Sequence, residues 1–180
     1  MSARLMVLGL VKREKQTHGY VVYRELASWQ TEQWSKVRPG SIYHALSQLE
    51  KEGFLRNTGI TKGTGPARTN YEITPAGEVE FMQLVEKALV EYDLDLFSAG
   101  LAFMHELPRL RVIELAKQRL EANQEVSMFL GTLPREADPT APAKHPEIIS
   151  AFTNFFDSAA SWQRDFIKRL ERGDYVFANE

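Results

Sequence analysis

The side chains that could take part in catalysis or metal binding are scattered along the chain. The four histidines are His18, His44, His105 and His145. No two of them have the short helical spacing of a zinc site, and none stands in a known nucleophile motif. Asp93 and Asp95 lie two residues apart on a predicted helix, so they point to different faces. The sequence therefore predicts no enzyme, no metal site and no cofactor.

Composition excludes further classes of protein. The chain has 180 residues, of which 43% are hydrophobic, so it can form one ordinary domain or two small ones. It contains no cysteine, which excludes disulfides and thiolate chemistry. The apolar run Leu5–Val11 is too short to span a membrane, and no small-residue cleavage site follows it. We expect a soluble cytoplasmic protein without a membrane partner.

One predicted helix presents a polar face suited to nucleic acid. It begins at Pro39, runs to about Glu52 and ends at Gly53. With Ile42 at the centre of the buried face, the outward positions are Gly40, Tyr43, His44, Ser47 and Lys51. Small, aromatic and basic side chains of this kind can reach phosphates and base edges. The same pattern also fits an ordinary solvated helix face.

The elements around this helix give it a context. Helices are predicted over 3–13 and His18–Trp29, and short strands over Phe54–Asn57 and Tyr71–Thr74. The Gly-rich connection between the strands carries Lys62 and Arg68 and lacks the nucleotide-binding glycine motifs. Three helices followed by a hairpin is the order of a winged helix-turn-helix. The alternative for the hairpin is a plain surface loop.

Charge is distributed unevenly between the two parts of the chain. Residues 1–78 carry 11 Lys/Arg and 7 Asp/Glu, whereas residues 79–180 carry 11 and 17. A basic first part beside an acidic second part suggests that only the first faces nucleic acid. Chance clustering on solvated faces is the alternative, because a net charge of +4 is modest for a DNA-binding domain.

The second part reads as helical, with apolar faces for a partner. A helix predicted over 75–97 carries a seam that we assign to another subunit: Met82, Val85, Leu89, Tyr92 and Leu96. Two more helices are predicted over Pro108–Leu130 and Pro146–Arg172, with a proline-rich loop over 134–147. The last helix adds four interface residues: Phe152, Phe155, Trp162 and Phe166. These patterns predict a homodimer.

The aromatic residues of the last helix have a second possible use. Most aromatic residues at helical spacing are core, but a few could line a pocket for an effector. The residues chosen for this role are Phe155, Phe156 and Trp162. Any effector is expected to be apolar or aromatic, because these side chains favour stacking and burial over charge recognition.

Three segments together resemble PadR-type transcriptional regulators, a family of bacterial winged-helix repressors. They are THGYVVYREL (17–26), RPGSIYHALSQLEKEGFL (38–55) and NYEITPAGE (70–78). Residues 97–130 show a looser resemblance to the helical C-terminal domain of the longer subgroup. The wing sequence GTGPARTNY departs from the family pattern in having fewer cations.

The resemblance implies a mainly α fold with a small β-hairpin. A winged helix-turn-helix DNA-binding domain over 1–76 would precede a helical dimerisation and effector domain over 77–180. The homodimer would repress transcription from a near-palindromic operator, released in some members by a small hydrophobic or aromatic ligand. Nine residues form the expected contact set for double-stranded DNA: Arg38, Gly40, Ser41, Tyr43, His44, Ser47, Lys51, Lys62 and Arg68.

Two other classes of function remain open at this point. A winged-helix module can serve protein–protein contact without any operator. An enzyme or carrier could instead use the helical part to bind a small molecule. The order of the three motifs separates the regulator from the enzyme, and salt-dependent binding of a promoter fragment separates it from the interaction module.

Overall fold

The computed structural model describes residues 2–61, 67–133 and 146–178. The chain divides into two compact units, Met1–Leu107 and Pro108–Glu180. The predicted boundary after residue 76 is therefore not the boundary of the compact units. The two helices over 75–90 and 94–102 pack with the first helix of the chain, α1 (Ser2–Glu14), which keeps them in the N-terminal unit.

The N-terminal unit combines helices with a small sheet. Its first elements are α1 (Ser2–Glu14), β1 (Thr17–His18), α2 (Gly19–Ser28), α3 (Thr31–Trp34) and α4 (Pro39–Lys51). They are followed by β2 (Leu55–Thr61), β3 (Arg68–Ile73), α5 (Pro75–Val90) and α6 (Leu94–Ala102). The C-terminal unit contains α7 (Arg109–Gly131) and α8 (Pro146–Arg172). This mainly helical fold with a small sheet confirms the predicted fold class.

Helix α1 lies at the centre of the N-terminal unit. Every residue of the apolar run 5–11 is buried, so the run predicted to be too short for a membrane is core. Gly9 allows the closest approach. A Cβ there would come within 2.4 Å of the Phe103 ring, so only glycine admits that ring against the helix.

The sheet is antiparallel and has the strand order β1-β3-β2. The strands β2 and β3 are longer than predicted, and the two-residue β1 was not predicted at all. Gly59, with φ of 122°, lies at an irregularity in the β2–β3 pairing, and Asn57 Oδ1 accepts a hydrogen bond from its N–H at 2.9 Å. The hairpin extends from α4 to form the wing.

The start of α5 is fixed by the side chain of Thr74. The Thr74 hydroxyl accepts from the Gly77 N–H at 3.0 Å and donates to the Gly53 carbonyl at 2.7 Å. Gly77 packs directly on the backbone of Phe54, whose carbonyl oxygen would lie 2.1 Å from any added Cβ. The end of the wing is thereby joined to the end of α4.

The prediction of one continuous helix over 75–97 is wrong. α5 ends at Val90, Glu91 takes extended backbone angles, and Asp93 caps α6 by accepting from the Leu96 N–H at 3.1 Å. Of the predicted seam, Val85, Leu89 and Leu96 are buried within the N-terminal unit. Tyr92 is 43% exposed and Met82 is half-buried, so these are the two side chains of the seam that reach solvent in the single chain.

The C-terminal unit is a pairing of α7 with α8 around a core that includes polar groups. Arg119, Asn123 and Gln163 are all buried. Arg119 Nη1 donates to Gln163 Oε1 at 3.2 Å, and Gln163 Nε2 donates to the Ala116 carbonyl at 3.1 Å. These bonds fix α7 against α8 at one position.

Helix α8 turns a different face inward from the one we assigned to the interface. The side chains it buries are Phe156, Ala160, Gln163, Phe166, Ile167 and Leu170. Phe166 is therefore core in this chain, where its ring stacks on that of Trp162 with centroids 5.0 Å apart. The side chains left exposed are Ile148, Phe152, Phe155 and Trp162.

Among the described residues, no helix is long and apolar enough to cross a membrane. In the same ranges, no group of three or more histidine and acidic side chains is arranged to hold a metal ion.

Candidate nucleic-acid interface

The N-terminus of α4 is held by bonds between Ser41 and Arg38. Ser41 Oγ accepts from the Arg38 N–H at 2.9 Å and donates to the Arg38 carbonyl at 2.7 Å. Arg38 Nη1 donates to the carbonyls of Ser35 and Val37. Both predicted DNA contacts thus carry a local structural role that orients the helix start.

The outward face of α4 is the one the sequence predicted. Ile42, Ala45, Leu46 and Leu49 are buried beneath it. The exposed positions are Gly40, Tyr43, His44, Ser47 and Lys51. A helix that is packed on one face and exposed to solvent on the other can enter a groove of DNA while its buried face stays in the core.

Tyr43 is held at the edge of this face by α2. Its ring lies against the backbone of Gly19, where an added Cβ would come within 2.5 Å of the ring. The side chain is nevertheless 51% exposed. Tyr43 is therefore oriented by packing on one side and presents the rest of its ring and its hydroxyl to solvent.

The wing places the cation Arg68 on the same side of the N-terminal unit as Tyr43. Arg68 begins β3, and its guanidinium lies over the Tyr20 ring, 4.8 Å from the centroid. Tyr43, Tyr20 and Arg68 line one cleft of about 510 Å³, together with His18, Gly19, Leu46, Ala67, Thr69 and Tyr71. The predicted contacts Tyr43 and Arg68 are thus brought together.

His18 contributes to the cleft as the cap of α2. Its Nδ1 accepts from the Val21 N–H at 3.4 Å. Burial, followed by the positive charge of Arg68, lowers the pKa of His18. The neutral ring that results can keep its acceptor role at the helix N-terminus.

Tyr71 connects the wing to α4 beneath the cleft. Burial raises the pKa of the Tyr71 hydroxyl, and the neighbouring Glu50 carboxylate of α4 raises it further. The hydroxyl therefore stays protonated and can donate to that carboxylate. This contact ties the helix that presents Tyr43 to the strand that presents Arg68.

Tyr20, His18 and Tyr71 were not predicted as members of this site. The segment 17–26 was predicted as part of a helix and carried one of the resemblances, but no spacing rule connects it to Arg68. The connection is made by Thr17 and His18, which pair with β3 as a two-residue strand. Thr17 lies opposite Tyr71, and His18 lies opposite Asn70. The predicted contact Lys62 lies outside the described residues.

The predicted effector residues differ in their exposure. Phe156 is buried, whereas Phe155 and Trp162 are 45% and 40% exposed. A cleft of about 390 Å³ in the C-terminal unit is lined instead by Gln124, Ser127, Met128, Asp157, Ala160 and Arg164.

The outward face of α4 and the adjoining hairpin have the arrangement of a winged helix-turn-helix fold. Residues 7–83, less than half of the chain, match the model of the transcriptional regulator PadR-like family. This N-terminal segment is therefore similar to PadR-type transcriptional regulators.

The chain is similar to solved structures of PadR-type proteins. Bacillus subtilis PadR in complex with operator DNA is 19% identical, with 93% of this chain and 98% of that chain covered and a TM-score of 0.40. A PadR-like transcriptional regulator from Bacillus cereus is also 19% identical, with 94% and 96% covered and the same TM-score. Bacillus subtilis PadR with p-coumaric acid is 18% identical, with 94% and 96% covered and a TM-score of 0.36. No curated protein gives a significant sequence match.

Proposed function

We propose that the protein is a homodimeric repressor that acts in the cytoplasm on a near-palindromic operator. Two copies of α4 would each enter a major groove, and the two wings would lie along the backbone. The observation that carries the proposal is the exposed face of α4, with Tyr43 oriented at its edge by Gly19. A two-fold dimer implies half-sites about 10 bp apart, or a multiple of that spacing.

The dimer rests on the apolar stripe of α8, which we define as Ile148, Phe152, Phe155 and Trp162. Each of these side chains is at least 40% exposed in the single chain. Their spacing of 4, 3 and 7 residues keeps them on one side of the helix. A second copy of the stripe is a suitable partner, because a two-fold interface pairs identical surfaces.

Tyr43→Ala should weaken operator binding about 10- to 100-fold, because it removes the oriented aromatic side chain at the start of the recognition face. The operator is first selected from a pool of random duplexes with the wild-type protein. Affinity is then measured by fluorescence anisotropy at several salt concentrations. The salt slope of the wild type should be steep, since phosphate contacts release counterions.

Two further variants make this measurement specific. Tyr43→Phe keeps the packing on Gly19 and removes only the hydroxyl, so it separates the contribution of the ring from that of the hydroxyl. Lys62→Ala should weaken binding uniformly across sequences and flatten the salt slope. Wild-type affinity in both Tyr43→Ala and Lys62→Ala would overturn the docking. A wild-type protein without salt-dependent binding to any duplex would favour the interaction module.

We infer that an effector, where one acts, is a planar apolar or aromatic compound that stacks on exposed rings of the C-terminal unit. Phe155 and Trp162 support this proposal, because their rings are exposed in the single chain. Both belong to the apolar stripe of α8, so a ligand stacked on them would lie at the proposed dimer contact. Phe156 contributes from beneath, with its ring edge-to-face against Phe155 at 5.2 Å. Such a ligand shifts operator affinity only if it binds the DNA-competent and incompetent dimers differently.

Trp162 fluorescence reports on this proposal, since the other two tryptophans, Trp29 and Trp34, lie in the N-terminal unit. In a Trp29→Phe/Trp34→Phe protein, a panel of planar aromatic compounds should include one that quenches the remaining tryptophan. The same compound should release operator over the same concentration range. Quenching without release would exclude the switch, and no quenching by the whole panel would leave Trp162 without an effector role.

A further inference from the structure

Arg68 stacks on an aromatic ring, and no carboxylate among the described residues neutralises its charge. Its guanidinium lies 4.8 Å from the centroid of the Tyr20 ring. Within the described ranges, no carboxylate forms an ion pair with it, whereas Arg56 on the neighbouring strand is paired with Glu72 at 2.8 Å. An aromatic face attracts the cation without cancelling its charge, so the charge remains available to an anion from outside.

The stack also joins two separate elements of the winged helix. Tyr20 lies in the first turn of α2 and is 46% exposed, and Arg68 is the first residue of β3. A long arginine side chain at the outer end of the β2–β3 pairing, opposite Thr61, loses conformational entropy when it binds. Contact with the ring limits the orientations of the planar guanidinium before any ligand arrives.

The cleft around the stack has the chemistry of a phosphate site. Arg68 offers several N–H donors in a planar fork that suits phosphate oxygens. Tyr43, from the recognition face, lines the same cleft, so an anion there would lie between α4 and the wing. His18 faces it with a lowered pKa and adds little charge of its own near neutral pH.

We propose that this cleft binds one backbone phosphate of the DNA, with Arg68 as the phosphate-binding residue and Tyr20 as the residue that positions it. The inference rests on the proposed function, because the phosphate belongs to the duplex that α4 reads. It adds Tyr20 to the determinants of DNA affinity through its ring and not through its hydroxyl.

The test compares three variants of the full chain on the selected operator and on an unrelated duplex of the same length. Arg68→Ala should weaken binding to both duplexes about tenfold and lower the salt slope. Tyr20→Leu should weaken binding to both about three- to tenfold, with the salt slope nearly unchanged because the cation is still present. Tyr20→Phe should bind like the wild type, since it keeps the aromatic face.

A double variant separates positioning from a merely structural role. If Tyr20 acts through Arg68, Tyr20→Leu should cause no further loss when it is added to Arg68→Ala. Losses that multiply in the double variant would overturn the inference, as would wild-type affinity in Tyr20→Leu or a loss in Tyr20→Phe equal to that in Tyr20→Leu. Thermal melting of each variant should match the wild type, because Tyr20 is partly exposed.

The outcomes also separate this inference from the proposed function. A wild-type protein that binds neither duplex would overturn the proposed function, whatever the variants do. A wild type that binds with a steep salt slope, together with Tyr20→Leu that binds equally well, would leave the regulator in place and remove only the role of Tyr20.

Discussion

Phe152→Lys is expected to convert the homodimer into folded monomers. Phe152 is 52% exposed in the single chain and lies within the apolar stripe of α8. In the proposed dimer it is covered by the partner, so a lysine there would bring an unpaired charge into an apolar contact. The unit itself should remain folded, because Phe152 lies outside the buried face of α8.

Sedimentation velocity at micromolar concentration measures the change directly. Asn154→Lys is the matched control, since it adds the same charge to an exposed position of the same helix outside the stripe. Operator affinity of the monomeric variant should fall about 100-fold or more, because the two half-sites are no longer bound as one unit. A wild type that sediments as a monomer at this concentration would contradict the prediction.

Leu89→Lys should unfold the N-terminal unit instead of dissociating a dimer. Leu89 was part of the predicted seam, but it is 2% exposed and packs within the N-terminal unit. Replacing a buried leucine by lysine removes core contacts and places a desolvated ammonium group in the apolar core. The expected loss is roughly 3 to 5 kcal/mol of the free energy of unfolding.

Urea unfolding followed by the fluorescence of Trp29 and Trp34 reports on this unit. Val79→Lys is the control, because Val79 lies on the same helix and is 59% exposed. It should unfold at nearly the wild-type urea concentration. A stable, monomeric Leu89→Lys protein would show that the residue faces another subunit after all.

The sequence predicted α4 well because its signals are local. Pro39 and Gly53 mark the two ends, and the 3.6-residue period separates Ile42, Leu46 and Leu49 from the outward positions. The sequence could not place Tyr20 beside Arg68, because that contact depends on the pairing of β1 with β3, and a two-residue strand has no period of its own.

The errors in the second part of the chain have a common physical origin. A heptad-like pattern can continue across a helix break, since apolar residues are spaced alike on both sides. Asp93, three residues before Leu96, is a standard cap and was the available sign that a new helix begins. In α8 the apolar side is wider than the part that α7 covers, so spacing alone could not say which of its apolar residues are buried and which are exposed.

The position of Phe103 against Gly9 bears on how the protein is made. The ring that closes over α1 is supplied almost one hundred residues after the helix itself. During synthesis, part of the apolar surface of α1 therefore stays uncovered until α5, α6 and Phe103 have left the ribosome. A nascent chain that ends with the wing has the DNA-reading elements but lacks part of the core on which they stand. Folding of the N-terminal unit is thus governed by contacts distant in sequence, which slows it relative to a bundle of neighbouring helices.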